Sequence, residues 1–268
     1  MRISRSLLAG CTAMLLLSVP AETGTQAAPA PAPRISPNVD PDAMAALERM
    51  GAALRARNVF VLNADVTDED VLESGEKLQF AGTIEVRARR PDRFKLSIMS
   101  DIKDRQIYYN GKQVTVYAPR LGVYGQFTAP ATIAQTLRAA RERYDIELPL
   151  ADLFTWGTDD SAATRLTSGF LVRPETVQGR ACNHYAFRQE NVDWQIWIAT
   201  DAPQLPCKLV ITNTADESRP QYTAVMRWQF PNAIADDLFT FRPPSIGANK
   251  IVIVDMAAAQ AEAKGETK

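Results

Sequence analysis

The stretch that decides the fold is residues 89–130, RRPDRFKLSIMSDIKDRQIYYNGKQVTVYAPRLGVYGQFTAP. Its first part alternates regularly, because Phe94, Leu96 and Ile98 are apolar whereas the residues between them are polar or basic. A period of two residues is the spacing of a β-strand with one buried and one solvated face. This strand is therefore predicted to belong to a sheet that is packed on one side.

A hairpin is predicted directly after this strand. Two short segments, Gln106–Tyr109 and Lys112–Tyr117, flank the pair Asn110-Gly111. Asn-Gly adopts the positive φ angles of a type I′ turn at low cost, and that turn joins neighbouring antiparallel strands. The centre of the protein is therefore predicted to be an antiparallel sheet.

The length allows one large all-β domain or two small ones, and one domain is preferred. The chain has 268 residues, of which 46% are hydrophobic and 23% charged, so it can bury a sizeable core. Its formal net charge of -1 arises from 30 basic and 31 acidic residues that form no long blocks. No basic surface for a nucleic acid or an anionic bilayer is therefore predicted, and the expected partner is apolar or another protein.

The beginning of the chain has the pattern of a secretory leader. Arg2 and Arg5 give a positive start, and the apolar run Leu7–Val19 is too short for a comfortable transmembrane helix. Small residues follow, and cleavage is predicted after Ala21 or after Ala27. We therefore predict a periplasmic protein whose mature chain has no transmembrane span.

A lipoprotein is the alternative, because residues 8–11, Leu-Ala-Gly-Cys, match a lipobox. The apolar run continues beyond Cys11 to Val19, whereas a lipobox ends its apolar region. Ordinary secretion is therefore preferred to an anchor at Cys11.

Helices are predicted before and after the central strands in the sequence. In Asp42–Arg57 the apolar residues recur every three or four positions and form one stripe. Thr132–Tyr144 is predicted to be a second helix, and Pro149–Trp156 a short third one that is too apolar for a free loop. The third segment is therefore lid-like.

Most of the remaining segments are predicted to be strands, and the exceptions are one turn and one short helix. The acidic segment Asp68–Ser74 is predicted to be a solvated turn, because it lacks the Gly and closing Glu of a calcium loop. A one-turn helix is predicted at Asp236–Leu238 and a last short strand at Phe239–Phe241. The other predicted strands are Asn58–Asp65, Glu76–Arg90, Leu166–Gln178, Ala181–Arg188, Val192–Ala199, Lys208–Thr212 and Tyr222–Phe230. The predicted organisation is a signal peptide (1–27), a Pro/Ala-rich linker (28–41), a single domain (42–254) and a flexible tail (255–268).

Several segments resemble a known family. They are residues 90–96 (RPDRFKL), 109–117 (YNGKQVTVY), 192–198 (VDWQIWI), 205–211 (LPCKLVI) and 239–244 (FTFRPP). They are similar to the outer-membrane lipoprotein carrier (LolA/LolB/RseB-like) superfamily, and more closely to its predicted periplasmic family named domain of unknown function 2092. The resemblance covers most of the chain from about Asp42 to Val254.

This resemblance implies a mainly β (α+β) fold: a curved antiparallel half-barrel sheet whose concave side is capped by helices. It also implies an apolar cavity that holds acyl chains or hydrophobic peptides, so the expected partner is a lipid or a lipidated protein, and no cofactor is expected. The candidate lining residues are Leu96, Ile98, Val116, Ile133, Leu137, Leu153 and Trp194. The alternative is a module that recognises envelope proteins through an exposed edge strand and has a filled core.

Two cysteines remain if Cys11 leaves with the leader. Cys182 and Cys207 form an even pair in an oxidising compartment, which permits a disulfide. The predicted meander places them two strands apart, about 9–10 Å at the usual interstrand spacing, whereas a disulfide needs Cα atoms closer than about 7 Å. The sequence therefore leaves this candidate disulfide open.

No active site is predicted. His184 is the only histidine, which excludes sites that need two. Cys182 lies two residues away on the same face of the predicted strand, but a structural histidine beside a structural cysteine is the preferred interpretation. No nucleophile elbow, phosphate loop or dinucleotide motif is present. The protein is therefore predicted not to be an enzyme.

Overall fold

The computed structural model describes residues 39–156, 165–245 and 247–258. Within these ranges the chain forms one sheet of 12 strands with helices packed against one of its faces. The predicted signal peptide and most of the predicted linker lie outside the described residues. The helices are α1 (Pro41–Arg55) and α2 (Ile133–Tyr144), with 3-10 helices at Pro119–Leu121, Ala151–Phe154 and Asp236–Phe239. The strands are β1 (Val59–Val71), β2 (Lys77–Arg89), β3 (Arg93–Ser100), β4 (Asp104–Tyr109), β5 (Gln113–Ala118), β6 (Val123–Thr128), β7 (Ser168–Val177), β8 (Arg180–Gln189), β9 (Val192–Ala199), β10 (Pro206–Asn213), β11 (Gln221–Gln229) and β12 (Asn249–Ile251).

The strands are ordered β12-β6-β5-β4-β3-β2-β1-β11-β10-β9-β8-β7. Each neighbouring pair is antiparallel except β12 and β6, which run parallel. The sheet is open and curved, and the two α-helices and the 3-10 helix Ala151–Phe154 lie on its concave side. The predicted fold class is confirmed.

The main core lies between the concave face and the helices. Leu47, Met50 and Leu54 form the predicted stripe of α1 and are buried there. Asp40 caps this helix, because its side chain accepts a hydrogen bond from the backbone N–H of Asp42 at 2.9 Å. Thr132 caps α2 in the same way. Both predicted helices are therefore confirmed, with ends within two residues of the predicted ones.

The outer face of the sheet carries two smaller apolar clusters. In β9, Trp194 and Ile196 pack in the main core, whereas Trp197 and Ala199 pack in an outer cluster with Cys182, Cys207 and Val210. A second outer cluster contains Val61, Ile234 and Phe239. The prediction that β9 is apolar on both faces is therefore confirmed, and each face is covered.

The predicted acidic turn at Asp68–Ser74 is wrong in its first half. β1 continues to Val71 and pairs with β2 along its whole length. The acidic side chains find partners along the strand: Glu69 accepts hydrogen bonds from Lys77 Nζ at 3.1 Å and from the backbone N–H of Gln221 at 3.0 Å. Pairing with β2, together with these side-chain hydrogen bonds, therefore outweighs the low strand propensity of the acidic residues.

The predicted hairpin is confirmed, but its turn is not of type I′. That turn needs positive φ at both central residues, and Gly111 has a φ of 85° whereas Asn110 is not in the positive region. The Asn110 side chain instead accepts hydrogen bonds from the backbone N–H groups of Lys112 and Gln113. The loop is longer than predicted, because Tyr109 is paired with Val114.

The predicted strand at Phe239–Phe241 is wrong. Phe239 ends a 3-10 helix that confirms the predicted turn at Asp236–Leu238. Phe241 lies on the outer face among Tyr108, Tyr117 and Tyr124, with ring centroids 5.0 to 5.4 Å away. The two phenylalanines therefore hold residues 239–241 against the outer face of the sheet by side-chain packing rather than by strand pairing.

Candidate ligand cavity

A cavity of about 810 Å3 lies between the concave face and residues 145–152. Its floor is aliphatic, because alternate residues of the strands point to this side. The floor residues include Val66, Ile84, Ile98, Ile107, Val116 and Ile211, and Ile146, Leu148 and Leu150 face them from the opposite wall. A volume of this size is in the range of small-molecule sites. The fold thus leaves a partly open and mainly apolar space that its own side chains do not fill.

The cavity occupies one end of the sheet because aromatic side chains fill the other. Phe60, Phe94 and Tyr109 are fully buried there. Phe154 packs onto this group, with its ring centroid 5.8 Å from Phe60 and 6.2 Å from Phe94. At the cavity end, the inward-pointing Ile98 and Val116 are only half-buried.

The lid segment, residues 145–156, is held down by two arginines. Arg55 Nη1 donates a hydrogen bond to the carbonyl of Trp156 at 2.9 Å. Arg90 Nη2 donates to the carbonyl of Leu153 at 3.4 Å, and its guanidinium lies 5.4 Å from the ring centroid of Phe154. The lid is therefore fixed at its Phe154 end to both α1 and the end of β2.

The strap, residues 247–255, forms the wall at the sheet edge. It includes β12, and the backbone N–H of Asn249 donates to the carbonyl of Gly122 at 2.8 Å. Ile251 and Ile253 line the cavity, whereas Val252, on the other side of the strap, is 86% exposed. The strap then reaches α2, where Asp255 pairs with Arg143. The cavity is thus closed at this edge by a segment with few contacts.

The position of the strap depends on Gly125. A Cβ atom built on Gly125 would lie 2.4 Å from Cγ1 of Ile253, closer than packed carbon atoms approach. We therefore expect Gly125→Val to displace Ile253 from its site. Losing the burial of about two methylene groups costs about 1.5 kcal/mol, which corresponds to roughly tenfold more opening of the strap.

Limited trypsin digestion checks this prediction at Lys250, which lies in β12. Cleavage is expected to be roughly tenfold faster in Gly125→Val than in the wild-type protein. Thr128→Val, an exposed position on the same strand, is the matched control and is expected to leave the rate unchanged. Equal rates in all three proteins would contradict the proposed dependence on Gly125.

The mouth of the cavity carries charged residues of both signs, among them Asp68, Asp70, Lys103 and Arg105. Burial raises the pKa of Asp68, although the charge of Lys103 opposes this shift. Tyr222 lies opposite Asp68 in the register of β1 and β11, and burial raises its pKa also. The mouth is therefore mixed in charge, whereas the interior is apolar.

The seven predicted lining residues are divided between the cavity and the core. Ile98 and Val116 line the cavity, and Leu137 lines a smaller neighbouring cleft beside α2. The other four are buried in the main core: Leu96, Ile133, Leu153 and Trp194. The strap residues Ile251 and Ile253 were not predicted. The continuous run of β-branched residues 251–254 is a signal for a strand, but a segment of this length gives no indication of its partner.

His184 and Cys182 lie on the outer face of β8, away from the cavity. The ring of His184 stacks on Trp197, with centroids 3.9 Å apart, and Nε2 lies 2.9 Å from Oε1 of Gln195. The thiol of Cys182 donates instead to the carbonyl of Arg180 at 3.5 Å. No hydrogen bond joins the histidine and this cysteine among the described residues, and Cys182 is fully buried. This arrangement does not provide an activated nucleophile.

Glu175 is the charged centre of this outer group. It accepts hydrogen bonds from Trp197 Nε1 at 2.7 Å and from Arg173 Nε at 2.8 Å, and its Oε1 lies 3.5 Å from Nδ1 of His184. These two hydrogen bonds are the main cause of the lowering of the Glu175 pKa to about 2. The carboxylate is therefore more stable in the folded chain than in the unfolded chain.

A pH dependence of stability follows from this shift. The folded pKa of Glu175 lies below its ordinary value of 4.5, so its contribution is complete above that value and is lost as the pH falls towards about 2. We expect the melting temperature of Glu175→Gln to fall less than that of the wild-type protein as the pH is lowered from 4.5 to about 2. Melting temperatures measured at a series of pH values check this prediction. The control is Glu217→Gln, at an exposed position without an ion pair in the described chain; a Glu175→Gln profile parallel to the wild type would contradict the prediction.

In the described residues, no helix has the length and hydropathy needed to cross a membrane. Within the same ranges, no three His, Cys, Asp or Glu side chains are grouped so as to hold a metal ion. The cavity is therefore the main candidate site in the part of the chain that the structure describes.

Solved structures resemble the chain at low identity. The lipoprotein LppX of Mycobacterium tuberculosis is 11% identical, with a TM-score of 0.45 over 73% of this chain and 100% of LppX. MucB is 16% identical, with a TM-score of 0.42 over 76% of this chain and 64% of MucB. A LolA superfamily protein from Nitrosomonas europaea is 10% identical, with a TM-score of 0.37 over 74% of this chain and 97% of that protein. At such identities and TM-scores, these likenesses assign no function to the chain.

No curated protein sequence gives a significant match. A family model does match, over residues 43–254, and its description is a predicted periplasmic protein, DUF2092. This match spans nearly the whole of the described fold, from α1 to the strap, and confirms the family expected from the sequence landmarks. The chain therefore belongs to the DUF2092 family of predicted periplasmic proteins.

Proposed function

We propose that this protein binds a lipid, an acyl chain or the lipid moiety of a lipoprotein in the cavity between the concave face and the lid, without chemical conversion. The observation that supports this proposal is the empty apolar space of about 810 Å3. Protein interiors are normally packed with few voids larger than a water molecule. This space is open to solvent on one side, and a bound apolar chain would fill it and remove its apolar lining from water.

The shape of the cavity favours a chain-like ligand. Most of its lining is aliphatic, with Phe80 and Tyr222 as aromatic members, and charged residues such as Lys103 and Arg105 also belong to it. A long aliphatic chain gains about 0.8 kcal/mol of binding free energy for each methylene group that is buried in such a site. The polar end of an amphiphile would remain near Lys103, Arg105 and Asp70, where water is accessible.

Two measurements on the purified full-length mature protein test the proposal. Lipid extraction followed by mass spectrometry is expected to find a co-purified lipid, and the extracted protein is expected to bind a fluorescent fatty acid with saturation. A protein that carries no lipid and takes up no fatty acid would overturn the proposal.

The proposed location is the periplasm, reached through a cleaved leader. It is supported by the charge and apolar pattern of residues 1–27 and by the description of the family. Mass spectrometry of the mature N-terminus tests it. A free N-terminus after Ala21 or Ala27 is expected, whereas an acylated Cys11 would show the lipoprotein alternative.

Protein recognition through an edge strand is the alternative, and the sheet edges do not favour it. β12 covers the edge of β6. β7, at the other edge, contains Pro174 and a register shift after Leu171, and both features hinder the addition of a further strand. Val39 also forms a bridge to Gly169 at this edge. A partner strand would therefore meet either the three residues of β12 or a β7 that Pro174 and the register shift interrupt.

A further inference from the structure

We propose that Cys182 and Cys207 are joined by a disulfide that clamps β8 to β10 across the end of β9. Both cysteines are buried in the same outer cluster, at 0% and 3% exposure. Both thiols are free in the structure. Oxidation of this pair is independent of the proposed ligand and concerns the half of the sheet formed by β7 to β11.

A β-bulge places Cys207 on the face where Cys182 lies. In a regular strand Cys207 would point to the same side as Leu209, which packs in the main core. The register of β10 against β9 shifts between Pro206 and Lys208, and the extra residue is Cys207. A bulge re-aims side chains in this way, and Cys207 consequently packs on the outer face.

The residue between the two cysteines is small. Ala199 lies directly opposite Cys182 in the register of β8 and β9 and belongs to the same cluster. A methyl group leaves space above β9 for two cysteine side chains to approach from either side. Backbone hydrogen bonds join this end of β9 to both flanking strands, from the N–H of Ala199 to the carbonyl of Leu205 and from the N–H of Thr200 to the carbonyl of Ala181. The bond therefore draws β8 and β10 together at this end, because a disulfide needs Cα atoms closer than about 7 Å.

The bond forms by exchange with a second disulfide, which acts as the oxidant. The two thiols lose two protons and two electrons, the Sγ–Sγ bond forms, and the disulfide of the oxidant is reduced to two thiols. Burial raises the pKa of the Cys207 thiol to about 12, and the neighbouring Cys182 thiol contributes to the same shift. Because the thiolate is the attacking species, oxidation is expected mainly before the strands close.

Peptide mapping tests the bond in the wild-type protein. Trypsin is expected to release Cys182 in the peptide 181–188 and Cys207 in the peptide 189–208, because arginine or lysine precedes and ends each. The protein is secreted into an oxidising compartment and is then unfolded and alkylated without reductant. After digestion, the two peptides are expected as one linked species whose mass is two hydrogens less than the sum of their masses. Reductant is expected to convert the linked species into two alkylated peptides. Alkylation of either cysteine before reduction, as the main product, would overturn the proposal.

A stability measurement tests the clamp. The closed loop spans 25 positions, from residue 182 to residue 207, and the oxidised protein is expected to melt roughly 5–10 °C above the reduced one. Cys182→Ala is the control and is expected to show no effect of reductant. A wild-type protein with the same melting temperature before and after reduction would contradict the clamp even if the linked peptides were found.

Discussion

The double substitution Ile98→Trp and Val116→Trp is expected to abolish the binding of acyl chains and to leave the fold intact. Both residues line the cavity floor and are only half-buried, so the larger side chains enter empty space rather than packed core. Excluding four methylene groups of a ligand costs about 3 kcal/mol, or a loss of affinity on the order of a hundredfold. Titration with a fluorescent fatty acid measures this loss.

A control variant distinguishes a blocked cavity from a misfolded protein. Ser97 is the neighbour of Ile98 on β3 and lies on the opposite side of the strand. Ser97→Trp is therefore expected to keep wild-type affinity, and all variants are expected to keep the β-sheet circular dichroism of the wild-type protein. If the folded double variant binds the fatty acid as tightly as the wild type, the ligand does not occupy this cavity.

The fold could be predicted from the sequence where periodicity is strong. Phe94, Leu96 and Ile98 indicate a one-sided strand without reference to any partner, and β3 has the predicted face buried. The acidic end of β1 could not be predicted, because its pairing with β2 and β11 is a long-range property. Local propensity is a weak guide where tertiary pairing decides the structure.

The site could be predicted less well than the fold. Alternation shows that Leu96 and Ile98 share one face, but it does not show that Leu96 lies under the packed core and Ile98 under the cavity. That difference depends on where the lid lies over the sheet, which in turn depends on Phe154 and the two arginines that hold it. The strap was missed because its contacts, such as Ile253 with Gly125, join residues far apart in the sequence.

The same packing argument predicts the largest effect on stability. Phe60→Ala is expected to lower the free energy of unfolding by about 3–5 kcal/mol. Phe60 is 1% exposed, and its ring lies 5.6 Å from that of Trp228 and 5.8 Å from that of Phe154. It therefore joins β1 both to a neighbouring strand and to the lid. Urea denaturation followed by fluorescence measures the loss.

Phe230→Ala is the matched control, because it removes the same atoms from a ring that is 39% exposed. That ring packs only partly, with Arg57 at 4.8 Å from its centroid, so a loss of about 1 kcal/mol or less is expected. Equal losses in the two variants would show that the aromatic group does not hold the lid on the sheet. A large loss confined to Phe60→Ala would instead support a molecule with two distinct ends: one closed by packed aromatic rings, and one where a mainly aliphatic lining leaves the cavity.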